Sequence, residues 1–148
     1  PRPPLQKWRG LDRAERDAAH RHNLAAFMLA DARGIGDDTV AIQACNAERT
    51  RLRSRQITSK GAAAAALAKA HVPLGAIWGR GDLDWPGVLD ERIDILQTRD
   101  PDCRFAVLEN AAHWVQYEAA EEFNTILARM LAPNWSQSEV RQQKQAAP

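Results

Sequence analysis

A histidine and a pair of aspartates stand at the ends of two short apolar runs. The first run, "VPLGAIWG" (72–79), passes into "RGDLDWPG", which carries Asp82 and Asp84. The second, "CRFAVLE" (103–109), passes into "NAAHWVQYEAAEEFN", which carries His113, 31 residues after Asp82. A carboxylate that bonds one imidazole nitrogen fixes the tautomer and leaves the other nitrogen to act as general base. Asp82 or Asp84 can supply that carboxylate if the two loops meet. A lone loop histidine is more often a surface or structural residue, so the weight rests on the two loops taken together.

The elements needed to bring the loops together are legible. Both runs are apolar without alternation and bounded by turn residues, the pattern of strands buried on both faces. Pro86 is placed to open a helix running to about Gln97, "DPD" (100–102) reads as a turn, and a second helix is expected over Ala119–Leu131. Strand, loop, helix, strand, loop, helix implies an α/β unit with parallel strands and right-handed crossovers. In such sheets, functional groups gather at the carboxyl ends of the strands. Neighbouring strands lie about 4.8 Å apart, which is close enough for the two loops to exchange a hydrogen bond.

The front of the chain reads differently. A helix is expected from Leu11 to Ala30, with Asp12 and Glu15 as a capping box and Leu24, Phe27 and Met28 at helical spacing. A second opens near Asp37 and Asp38, whose charges suit a helix N-terminus, with Val40, Ala41, Ala44 and Cys45 on one face. The run "GAAAAALAKA" (61–70) is helical by propensity. The expected organisation is thus a helical segment over 1–70, a β-α-β-α segment over 71–132, and a polar, Gln-rich, disordered tail over 133–148.

The 148 residues suffice for one core and are short for two. Net charge is +5 over residues 1–60 and −5 over 61–132. The run "RTRLRSR" sets Arg49, Arg51, Arg53 and Arg55 two apart, which winds them around a helix instead of lining one face. No aromatic residues interleave, so nucleic-acid binding is not expected. The run of roughly 18 apolar residues needed for a membrane span is missing from the sequence. Cys45 and Cys103 lack metal or redox spacing, which suggests reduced thiols and a cytoplasmic location. In "HRHN", His20 and His22 point apart on a helix, so they read as packing or solvent-facing residues and not as metal ligands.

The region from about Leu74 to Leu131 resembles the C-terminal end of an α/β-hydrolase. In that family an apolar strand ends in W/H-G-x-x-D with a proline soon after, matched by Trp78, Gly79, Asp82 and Pro86. A later strand ends in small residues, Gly-His, an aromatic and E-x-x-x-x-F, matched by His113, Trp114, Glu118 and Phe123. Ala112 stands where the family usually has glycine. The resemblance implies Asp82 as the triad acid, with Asp84 as the other candidate, and His113 as the base. "HWVQYE" is most similar to hydrolases that cleave carbon–carbon bonds in ring-fission products, which implies that Trp114 lines a small-molecule pocket. Those enzymes also use a lid arginine, which the run 49–55 does not single out. No metal or organic cofactor is implied.

The family's nucleophile precedes the acid and the histidine in a G-x-S-x-G elbow. Ser54, Ser59, Ser136 and Ser138 all lack that glycine frame, and the oxyanion-hole loop is missing as well. The expectation is therefore a lid followed by the last two β-α units, with the central strands and nucleophile outside this chain. The chain alone is expected to be inactive. The nucleophile would be serine for an ester or carbon–carbon bond, or aspartate in a dehalogenase. The alternative is a short non-catalytic relative that serves as a binding or assembly subunit. In either case two exposed strand edges call for a missing segment or a second copy to complete the sheet.

Overall fold

Asp12 starts the first helix as its spacing requires. Its side chain accepts from the Glu15 amide at 2.9 Å, and Glu15 Oε2 accepts in return from the Asp12 amide at 3.4 Å. The computed structural model describes residues 3–51, 62–83 and 88–133. Helix α1 (Arg13–Asn23) continues into a π-helical turn over Leu24–Met28, which ends where the Leu29 amide reaches Leu24 O. A short 3₁₀ turn and Gly36 lead into α2 (Asp37–Arg49), which opens on Asp37 and Asp38. Arg16 bonds Glu48 at 2.8 Å and Arg21 bonds Asp37 at 2.9 Å, joining the two helices. Their core is Leu24, Leu29, Ile35 and Val40, with Met28 and Trp114 packed against it.

The buried stripe of α2 is narrower than expected. Thr39, Val40 and Ala44 are buried, while Ala41 and Cys45 are exposed. Among the described residues the helix is covered by α1, the hook over residues 24–35, and Trp114 and Tyr117 from the rear half, and the row Val40 and Ala44 with Thr39 meets that cover. Arg49 ends α2, Arg53 and Arg55 fall outside the described residues, and the Ala-rich run forms α3 over Ala62–Leu67.

The rear half holds the strands β1 (Gly75–Gly79) and β2 (Arg104–Leu108), paired in parallel with Gly79 opposite Leu108. Between them runs α4 (Val88–Arg99), and the start expected at Pro86 falls outside the described residues. After β2 come a single turn, α5 (Val115–Glu118), and then α6 (Ala120–Leu131). The chain is therefore mixed helix and strand with a two-stranded parallel sheet among the described residues. Residues 134–148, including Trp135 and the expected disordered tail, fall outside them.

The strands are not buried on both faces. Ile77, Leu108, Ala111 and Val115 pack with Phe123 and Ile126, so α6 covers one face. Ala76, Trp78, Phe105 and Val107, on the other, are only half-buried. An unalternating apolar strand that is covered on one side has more hydrophobic surface than this chain's described residues use. Among the described residues no helix is long and apolar enough to cross a membrane.

His20 is fully buried, its ring tilted against Trp8 with centroids 5.1 Å apart, and neither ring nitrogen has a partner among the described residues. The segment that carries Trp8 is held by Asn23, whose side chain bonds both the N–H and the C=O of Gln6. Burial lowers the His20 pKa from its ordinary 6.5, and Arg16 lowers it further against the opposing pull of Asp17 and Glu48. Between the lowered folded value and 6.5 the unfolded chain therefore holds more of a proton at this position than the folded one, so the contribution of His20 to stability rises with pH across that window. The midpoint of urea unfolding should fall as pH drops from neutral to about 5. In a His20→Leu variant that slope should flatten.

Candidate active site

The two strand-end loops are drawn together because glycine occupies position 79. A Cβ built there would lie 2.2 Å from Ala112 O and 2.5 Å from Ala111 O. The backbone leading to His113 thus passes directly over the end of β1. Gly81 continues this close approach, its amide donating to Ala111 O at 2.9 Å. Arg80 adds a two-pronged ion pair, with Nε and Nη2 on Glu109 at 2.9 and 2.7 Å. In "GRGD" the glycines let the backbones touch and the arginine ties the acid loop to the end of β2.

The result is a bond between His113 Nδ1 and Asp82 Oδ1 at 3.0 Å. Asp82 sits in a 3₁₀ turn over Arg80–Leu83, its side chain 19% exposed, while the His113 side chain is 54% exposed. Arg92, from α4, approaches the other carboxylate oxygen of Asp82 at 3.8 Å. Of the two acid candidates, Asp82 is the one joined to His113, and Asp84 falls outside the described residues. The neutral arrangement consistent with this contact has Nδ1–H donating to Asp82, which leaves Nε2 as an acceptor.

Trp114 is half-buried against the helical front, its amide donating to Met28 O at 2.9 Å and its ring tilted on Tyr117 at 5.4 Å. Tyr117 in turn meets Thr39 of α2, oxygen to oxygen, at 2.9 Å. The residue after the histidine is thus a joint between the two halves of the chain. Burial pushes the Cys103 thiol above its usual range, with Asp100 adding to the effect, so it is poorly suited as a nucleophile. Among the described residues no three His, Cys, Asp or Glu side chains are grouped to hold a metal.

Arg92, the Arg80–Glu109 pair and the contacts of Glu118 were not foreseeable as site features. Arg92 reaches Asp82 from a helix ten residues further on, a distance only the fold can close. The Arg80 pair is exposed, and its loss should matter little. Arg80→Gln is expected to lower stability by about 0.5–1 kcal/mol in urea unfolding, and the bond between His113 and Asp82 should remain.

Compared with protein-family models, with curated proteins and with solved structures, the chain matches none. The site is therefore interpreted on its geometry and chemistry.

Proposed function

We propose that this chain is the helical lid and C-terminal segment of an α/β-fold serine hydrolase, with Asp82 as the triad acid and His113 as the general base. The observation that supports this most strongly is the 3.0 Å bond between the two side chains at the carboxyl ends of neighbouring parallel strands. A carboxylate on Nδ1 sets the tautomer in which Nε2 can take a proton.

On this reading a serine from outside the chain gives its proton to His113 Nε2 as its oxygen attacks a carbonyl carbon. Asp82 stabilises the imidazolium that forms. The imidazolium then returns the proton to the leaving group. That group is the alcohol of an ester, or the carbon displaced when a carbon–carbon bond beside a ketone breaks. Water, deprotonated by the same Nε2, releases the acyl group from the serine and regenerates the site. Trp114, the residue next to His113, would border the substrate. By itself the chain lacks the covalent step and does not turn over substrate.

The test is labelling of the native species, captured from the cells that make it, with a serine-reactive fluorophosphonate. We expect a labelled species that contains this sequence and whose labelling rate collapses when His113 is replaced by Ala. A native species that does not label, or that labels equally well with His113→Ala, would refute the catalytic reading and leave the assembly-subunit alternative.

A further inference from the structure

Glu118 holds three backbone amides with one carboxylate. Oε1 accepts from Ala30 N at 2.7 Å and from Asp31 N at 3.2 Å, while Oε2 accepts from Ala112 N at 2.7 Å. Ala30 and Asp31 lie just past the end of the π-helical turn in the helical half, and Ala112 is the residue before His113. Three charge-assisted bonds from a half-buried carboxylate are a strong anchor, since such bonds are shorter and stronger than neutral ones. Ala112 is itself buried, so its amide has no ready substitute in water.

We propose that Glu118 is the positioning residue of the His113 loop. In this role it couples the seating of the helical half to the aim of the imidazole at Asp82. The inference rests on the acid–base reading of Asp82 and His113. Its geometry is specific. The Ala111–Ala112 backbone is pressed from one side by Gly79 and Gly81 and pulled from the other by Glu118. His113 begins where that constraint ends. Release of the Ala112 amide leaves the loop held by the Gly81 amide on Ala111 O and the Trp114 amide on Met28 O, on either side of His113, so the segment between them loosens and the hydrogen bond between His113 and Asp82 loosens with it. The other oxygen engages only the helical half, so displacement of that half removes the second attachment of the same side chain.

A glutamine at 118 separates these effects. Its single carbonyl oxygen can face Ala30 and Asp31 or face Ala112, but not both, and its NH₂ then opposes a backbone donor. The readout is the tautomer of His113, taken from long-range proton–nitrogen NMR of the imidazole above its titration. We expect an excess of the Nδ1–H form in the native chain. Glu118→Gln should lose that excess and come to resemble Asp82→Asn. Thr39→Val, which cuts a different contact between the halves, should leave the tautomer unchanged. A native chain already indistinguishable from Asp82→Asn would refute the acid–base pair itself. A native excess that survives Glu118→Gln would refute the positioning role alone.

Hydrogen exchange of the native chain needs no variant and covers the case in which Glu118→Gln does not fold. The amides of Ala30, Asp31 and Ala112 should open together with one protection factor, because a single carboxylate holds them. Exchange of Ala112 at the rate of an open loop, with Ala30 still protected, would overturn the proposal.

Discussion

Replacing Gly79 by alanine is expected to cost the fold roughly 2–3 kcal/mol and to separate His113 from Asp82. The atoms that a methyl group would meet are main-chain carbonyls, Ala112 O at 2.2 Å and Ala111 O at 2.5 Å, and no rotamer change can move them aside. One of two things must yield. Either the end of β1 shifts away from β2, weakening the last rung of the sheet between Gly79 and Leu108, or the Ala111–Ala112 backbone lifts. In both cases the loops that carry Asp82 and His113 move apart. Gly75→Ala, in the same strand, is the internal control. Its Cβ meets Arg104 O at 3.4 Å, which a small adjustment relieves. Urea unfolding with chemical shift mapping of His113 measures both effects. A Gly79→Ala chain as stable as the Gly75→Ala chain, with His113 unperturbed, would show that the close approach of the loops is not needed.

The features that could be read in advance follow either from local spacing or from a general rule of parallel sheets. Asp12 and Glu15 cap α1 because the spacing of a capping box is a three-residue matter. Asp37 and Asp38 open α2 for a similar reason, and the two strands follow from apolar runs set between turn residues. Asp82 and His113 were legible as a pair because parallel neighbours bring their carboxyl ends together. Glu118 was visible as a motif residue, but its work was not. It reaches Ala30 and Asp31 across 88 and 87 positions of sequence, and no periodicity encodes such a contact. Burial of His20 under Trp8 was hidden likewise, since Trp8 lies in a segment with no pattern and is anchored by Asn23. The half-buried strands also departed from expectation. Their composition asks for cover on two faces, and among the described residues Val115 of α5 and the apolar stripe of α6 cover one.

If the acid–base proposal for Asp82 and His113 holds, Asp82→Asn is expected to lower the kcat of the complete species that labels with fluorophosphonate by about 10³–10⁴-fold with KM nearly unchanged. The same substitution should alter stability by less than about 1 kcal/mol, because its partner His113 is more than half exposed and such pairs contribute little to folding. The divergence of the two effects is the informative part. Asparagine is nearly the same size and can still fill the place beside His113, so packing barely changes. What changes is the proton. An amide NH₂ that donates to Nδ1 forces the hydrogen onto Nε2, and a protonated Nε2 cannot accept from a nucleophile. The negative charge that would stabilise the imidazolium is lost as well. Asp84→Asn, two residues further along the sequence, is the matched control and should leave kcat close to that of the parent. Kinetics of both variants, with thermal unfolding alongside, decide between the two acids. A kcat reduced less than about tenfold by Asp82→Asn would be too small for the loss of an oriented base. It would mean that the 3.0 Å contact positions His113 without serving catalysis.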